Sequence, residues 1–279
     1  MDVVPSSHQD LLDRPLVAAL STLTPSGYAQ THPVWFSAEG PWLQVNTMRG
    51  FFKERNMRAD PRVTLLVVDP GPDVHWLEVR GRVELVEAGA REHLDALALR
   101  YTGTAPYFGE VVPAELATSE SPVIGRIAPL LVVTDLLADA APERRRPPSA
   151  RPVPPAPRPA ATGPVVPVPG SHRELLAAPY RAVLTTLMPD GHPQTQPVWC
   201  GLDGDEILVT TTRERREGRN LLARPRATVL VVDPADTGRW IEVRGDVTIT
   251  QGGAERRGAE THLVCRIRPR HVVCDAIHR

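Results

Sequence analysis

The sequence predicts a mainly β protein: two tandem six-stranded antiparallel barrels, each with one or two short helices. Three observations predict it. One long segment of the chain occurs twice, so the 279 residues hold two domains of one kind. Within each copy, short apolar or alternating runs rich in Val, Ile, Leu and Thr are separated by turns containing Gly, Pro and Asp. Helical spacing is confined to a few brief stretches.

The repeat comes first. His8 to Leu85 aligns with His172 to Ile249 without a gap, and 36 of the 78 positions are identical. PLVAALSTLTPSG answers PYRAVLTTLMPDG, QTHPVWF answers QTQPVWC, and WLEVRGRV answers WIEVRGDV. A period this long is a duplicated domain and not a solenoid. Arg126-Ile127 and Pro129 match Arg266-Ile267 and Pro269 at a shorter spacing, so the second copy is some two dozen residues shorter. It lacks mostly AREHLDALALRYTG and the loop after it, where Leu94, Leu97 and Ala98 sit near helical spacing and Gly103 makes a stop. Between the copies, APERRRPPSARPVPPAPRPAATGPVVPVPG has too many prolines for a helix or a central strand and predicts an extended polyproline tether. Arg144–Arg146 is read there as solvated linker charge. The domains expected are 1–140 and 171–279, joined by a linker over 141–170.

Within the first copy each element has a local signature. Val17–Leu23 is a short strand closed by the turn Thr24-Pro25-Ser26-Gly27. Gln30–Phe36 is a second strand, answered across Glu39-Gly40 by Leu43–Thr47. A helix over Phe52–Ala59 stops before Pro61. Val63–Val68 is an unbroken apolar run ended by Asp69-Pro70. In Trp76–Val86, Trp76, Glu78, Arg80 and Arg82 share one face and Leu77, Val79, Val83 and Leu85 the other, with a slip of phase at Gly81 that predicts a bulge. Ile124–Val133 is the last strand, which completes a small antiparallel barrel.

Composition excludes several function classes. Lys and Arg number 32 against 33 Asp and Glu, a balance that argues against nucleic acid or an anionic membrane as partner. There is no apolar run of membrane-spanning length, and MDVVPSSHQDLLDR lacks the basic start and apolar stretch of a secretory signal. Cys200, Cys265 and Cys274 are few and have no CxxC spacing, as expected of reduced thiols in a cytoplasmic protein.

No nucleophile–base pair, zinc-ligand spacing or nucleotide loop stands out, and the histidines are scattered; no metal site is expected. An enzyme without such groups relies on a cofactor for its chemistry. The candidate holder is TMRGFFKERN, residues 47–56, which recurs as TTRERREGRN, residues 211–220. A hydroxyl, several cations and a helix start within ten residues compose a phosphate cradle; they also compose a solvated basic turn. The two versions reverse a charge, Lys53 against Glu217.

The order PVWF, T-x-R-x-x-x-K-x-R-N, DPRV, an apolar strand with VDP, and W-x-E-V-R-G-x-V resembles the pyridoxamine 5′-phosphate oxidase-like split β-barrel proteins. Within them it is most similar to the actinobacterial group that depends on the deazaflavin coenzyme F420. The resemblance covers nearly all of 8–135 and 172–275. It implies split barrels that dimerise, here as an intramolecular pseudo-dimer within one, possibly monomeric, chain, with cofactor sites that use both domains. It assigns the phosphate to Thr47, Arg49, Lys53, Arg55 and Asn56, the ring to Pro33, Val34 and Trp35, and a contribution from the other domain to Trp240 and Glu242. A second, weaker site would use Trp199, Thr211, Arg213, Arg219 and Asn220 with Trp76 and Glu78; Glu217 in place of lysine and the missing helix count against it. Relatives bind F420, FMN or heme. The function this implies is an F420-dependent oxidoreductase that passes hydride to a small unsaturated organic molecule. The alternatives are an FMN-dependent oxidoreductase, or a flavin, deazaflavin or heme carrier without turnover.

Overall fold

The computed structural model describes residues 4–71, 74–135, 164–178, 181–251 and 261–275. They form two compact units: 4–23 with 33–135, and 24–32 with 164–275. Helices α1 (Gln9–Asp13), α2 (Phe52–Ala59) and α3 (Ala90–Thr102) accompany strands β1 (Ala18–Leu23), β2 (Ala29–Val34), β3 (Phe36–Glu39), β4 (Trp42–Met48), β5 (Arg62–Val68), β6 (Trp76–Val86) and β7 (Pro122–Thr134). The second copy has α4 (Arg173–Ala177), α5 (Arg216–Ala223), β8 (Arg181–Leu187), β9 (Pro193–Asp203), β10 (Glu206–Thr212), β11 (Arg226–Val232), β12 (Trp240–Gln251) and β13 (His262–Cys274).

In the second unit the strands close a six-stranded barrel in the order β10-β13-β12-β11-β8-β9. The first has a seven-stranded sheet in the order β2-β1-β5-β6-β7-β4-β3. Each unit has its own apolar core. Leu20, Phe36, Leu43, Val45, Leu65, Leu77, Val79 and Ile127 fill one. Leu184, Ile207, Val209, Val229, Ile241, Val243 and Ile267 fill the other. Alternation along β6 puts Leu77, Val79 and Val83 into that core, as their spacing predicts.

The strand expected over Gln30–Phe36 is in fact two, and this is where the copies differ most. It breaks at Trp35, leaving β2 and β3 at opposite ends of the sheet order. The hairpin partner of β4 is β3, with Phe36 opposite Val45 and Glu39 opposite Trp42. The cause lies in α3. Tyr101 Oη accepts the Phe36 N–H at 3.1 Å and lies 3.0 Å from the Leu16 carbonyl, to which it donates. The Phe36 amide is thereby taken by a side chain. Among the described residues the second copy holds no counterpart of α3, and β9 runs unbroken through the same position, paired with both β8 and β10.

The predicted bulge is present in both copies. The register shifts between Arg80 and Gly81 on β6 and between Arg244 and Gly245 on β12. A Cβ at Gly81 would lie 2.4 Å from the Ala128 carbonyl oxygen, and one at Gly245 2.4 Å from that of Arg268. Only glycine lets the strands approach this closely.

Residues 24–32 belong with the second unit. There Tyr28 Oη donates to Asp246 Oδ1 at 2.6 Å, Thr228 Oγ1 to the Ala29 carbonyl at 2.6 Å, and the Thr31 N–H to Glu242 Oε1 at 2.7 Å. The end of the expected linker is packed as well. The Val166 N–H donates to the Pro269 carbonyl, and Val168 is buried in the second core as Val4 is in the first. The rest of that linker, with Arg144–Arg146, lies outside the described residues. Cys200, Cys265 and Cys274 are unpaired, and burial raises each thiol to about 11, away from thiolate chemistry. Among the described residues no helix is long and apolar enough to cross a membrane.

Gly81→Ala is expected to cost about 1–3 kcal/mol, the usual penalty for overpacking. Gly201→Ala, whose Cβ would meet nothing within 4 Å, serves as the neutral control. Urea unfolding of both variants measures this; equal midpoints would contradict the bulge's steric role.

Candidate functional site

The first copy's decapeptide spans the end of β4, a turn and the start of α2. Gly50 takes a positive φ of 81° to reverse the chain. Glu54, buried on the first turn of α2, folds the turn back: its Oε2 accepts the Gly50 N–H at 3.1 Å and its Oε1 accepts Arg58 Nε at 2.9 Å. This is a relative of the capping box, with the acid at the third helical position. Asn56 Nδ2 donates to Thr22 Oγ1 at 3.1 Å, anchoring α2 to β1. Asn220 does the same to Thr186 at 2.9 Å. The Arg-Asn pair that closes both decapeptides thus owes its asparagine to the anchoring of the helix.

Two polar side chains of this decapeptide, those of Thr47 and Lys53, have no hydrogen bond or ion pair to a described residue. Thr47 is buried, and its Oγ1 has no hydrogen-bond partner among the described residues. Lys53 is half-buried and makes no ion pair with a described carboxylate; its ammonium lies 5.7 Å from the centre of the Phe51 ring. Desolvation lowers its pKa to about 8. The first amides of α2 also lack intrahelical acceptors, as in every helix. Arg49 and Arg55 are exposed: Arg49 pairs with Glu87, and Arg55 lies over Phe52 at 4.5 Å. The unpartnered Thr47 hydroxyl, Lys53 and the start of α2 all lie within the same ten-residue segment.

Beside it stands an aromatic cluster that sequence reading did not find. Trp35 stacks on Tyr101 with ring centres 5.3 Å apart and meets Tyr107 edge-on at 6.3 Å. Met48, Leu94, Ala98 and Phe108 complete the cluster, with Phe51 packed against it. Val34 points into the barrel core, while Pro33 and Trp35 are half-exposed. The signal was present in the inserted segment, where YTGTAPYF supplies three aromatics, but the repeat offers no counterpart to align them with.

The second copy answers each feature differently. Thr211 Oγ1 donates to Glu217 at 2.5 Å, so the acid that replaces Lys53 is buried on the threonine that replaces Thr47. Gly218 replaces Glu54, and a Cβ there would lie 1.9 Å from the Thr212 carbonyl oxygen. Helix α5 therefore rests its backbone directly on the end of β10, with no room for a larger residue. Arg213 and Arg219 are exposed. Trp199, stripped of the inserted cover, is 62% exposed where Trp35 is half-buried.

The acids of W-x-E-V-R-G each pair with the arginine two residues on, and Glu242 also holds an amide of β2. Glu78 binds Arg80 through both oxygens, at 3.0 and 2.6 Å. Glu242 accepts the Thr31 N–H and pairs with Arg244 at 3.1 Å. Trp76 and Trp240 are buried, their N–H groups facing Asp135 and Asp275 at 3.4 and 2.8 Å.

Two tandem, mainly antiparallel barrel-like units with few helices define the class of β protein. The family profile described as pyridoxamine 5′-phosphate oxidase matches residues 4–125 and 168–276, and the chain belongs to that family. Solved structures similar to it include an F420 reductase, at 33% identity over 47% of this chain and 98% of that one, with a TM-score of 0.41. A conserved hypothetical protein of Mycobacterium tuberculosis is 25% identical over 53% and 96%, at 0.38. A pyridoxamine 5′-phosphate oxidase-like protein of Listeria innocua is 18% identical over 46% and 94%, at 0.36. No curated protein matches the chain.

Burial pushes Glu242 up to about 7 from an ordinary 4.5, against the opposing pull of Arg244 and the Thr31 amide. The folded protein thus prefers the neutral acid. Its contribution is full below pH 4.5 and is lost as pH rises through 7, a swing of about 3 kcal/mol. Glu242→Gln should gain stability on the wild type by about that much between pH 4.5 and 8. Parallel pH profiles of chemical unfolding would contradict it.

Proposed function

We propose that the chain is an oxidoreductase whose first copy holds the phosphate of a flavin-type cofactor, coenzyme F420, and that a small unsaturated organic molecule is its substrate. The observation that carries this reading is the buried, unpartnered Thr47 hydroxyl on the segment that bears Lys53. Leaving a buried hydroxyl unpaired costs about 1–3 kcal/mol, and an anion's oxygen would remove that cost. The motif order of the sequence favours F420 over FMN; the cradle itself suits either phosphate.

Each residue has a role. Thr47 donates its O–H, Lys53 supplies a point charge, and the first amides of α2 point at the anion. Arg49 and Arg55 hold the rim, Arg49 by exchanging Glu87 for the ligand. Trp35, fixed by Tyr101 and Tyr107, offers an apolar wall that keeps water from one face of a planar ring. The bound ring supplies the hydride chemistry; the protein binds, orients and dries it.

The second cradle is closed. Glu217 occupies Thr211, and a carboxylate about 4 Å from an anion repels it by several kcal/mol at an effective dielectric near 20. One equivalent per chain follows. Titration with F420 and with FMN, followed by absorbance, tests this. We expect one F420 per chain and at least tenfold weaker binding in Lys53→Glu. Two equivalents, or unchanged affinity in that variant, would overturn the reading. Tighter binding of FMN would transfer it to that cofactor, and tight binding without turnover of any enone or imine would make the protein a carrier.

The Lys53 ammonium, at about 8, carries its charge only at lower pH in the free protein. Affinity should therefore fall as pH rises from 7 to 9.5 in the wild type and stay level in Lys53→Met. A common slope would remove Lys53 from the site.

A further inference from the structure

A second constellation in the first unit has no part in the cradle. His8 precedes α1, His75 precedes β6 and Asp135 follows β7, and one donor atom from each lies within 4.8 Å of the others. His8 Nε2 is 2.6 Å from Asp135 Oδ1, and His75 Nδ1 is 3.8 Å from the same oxygen. The imidazole centres are 4.6 Å apart.

The outer nitrogens are held as well. His8 Nδ1 is 2.9 Å from Ser7 Oγ, and His75 Nε2 is 3.0 Å from Asp10 Oδ1. Metal-binding histidines take this form: an oxygen on the far nitrogen fixes the tautomer and turns the other lone pair inward. We infer that His8, His75 and Asp135 bind a divalent transition-metal ion of the zinc class, with a further position open to water. Two imidazoles and one carboxylate select such an ion over calcium or magnesium, which take oxygen donors. Zinc bonds of about 2.0–2.1 Å put tetrahedral donors roughly 3.3 Å apart, between the 2.6 and 3.8 Å seen here. Binding shifts the proton of His8 from Nε2, which then ligates the ion, to Nδ1, from which it is donated to Ser7 Oγ. Asp135 and His75 are 17% and 24% exposed, which admits an ion from solvent.

The second copy supplies an internal comparison. Ser171, His172 and Asp275 repeat the serine–histidine–aspartate chain, with 2.9 Å at both links. That chain alone is a structural staple, and it accounts for His8 and Asp135. His75, however, is replaced there by Arg239, whose guanidinium binds Asp233 and Glu174, the counterparts of Asp69 and Asp10. In the first copy Arg14 neutralises those two acids instead, at 2.5 and 3.3 Å. Position 75 is thereby released from a fixed positive charge and carries an imidazole turned toward Asp135.

Full-length protein stripped with a chelator and titrated with Co²⁺, then with Zn²⁺, tests the inference. One equivalent of Co²⁺ should give visible d–d bands without the near-ultraviolet band of thiolate ligands, Zn²⁺ should displace it, and Zn²⁺ should raise the melting temperature. His75→Arg, which copies the second unit, and Asp135→Asn should each weaken Co²⁺ binding at least tenfold, with the metal-free melting temperature of His75→Arg retained. Absent d–d bands, a thiolate band, or wild-type affinity in both variants would overturn it.

Discussion

Burying a polar side chain without a partner is costly, and the pairs that avoid this cost recur in the two copies. Asn56 and Asn220 meet Thr22 and Thr186; Glu78 and Glu242 meet Arg80 and Arg244; His8 and His172 meet Asp135 and Asp275. These pairs sit at matching positions because the backbone that positions them is shared. Thr47 is one of a few residues with a buried polar atom that has no hydrogen-bond partner among the described residues, and Thr212 of the second copy is another. At the end of the fourth strand the second copy satisfies its threonine with Glu217, and the first leaves Thr47 without a partner. Under the function proposed above, a ligand's oxygen would be the partner of that hydroxyl.

The other large difference follows from one inserted segment. By placing Tyr101 against the Phe36 amide, α3 interrupts a strand, opens the sheet order and turns Trp35 into the floor of an aromatic cluster. Without it, the equivalent strand closes a barrel and leaves Trp199 in water. Helix α3 is a wall and a strand breaker at once.

Much of this was legible in the sequence, because it rests on local chemistry. Helix α2, the face of α3 that buries Leu94, Leu97 and Ala98, its stop at Gly103, and the bulge at Gly81 all follow from periodicity and glycine placement. The break at Trp35 was not legible, since it depends on a hydroxyl sixty-odd residues away that carries no pattern of its own. The decapeptide was legible as a strand end, a turn and a helix start, but not in the division of labour among its side chains. Asn56 and Glu54 hold the fold, and only the structure separates them from Thr47 and Lys53. The cluster of His8, His75 and Asp135 escaped for the same reason as the strand break: its members come from three distant segments.

Gly218 fixes the second copy's turn as firmly as Glu217 does. Restoring a lysine at position 217 would bring back the charge, but α5 would still lie against the Thr212 carbonyl, where even a methyl group has no space. Restoring a glutamate at position 218 first would force that helix off its strand while Glu217 still held Thr211. Neither single step leads back through a well-packed intermediate. The two turns therefore cannot be interconverted by one substitution at a time while both stay well packed, and each copy's packing holds its own residues in place.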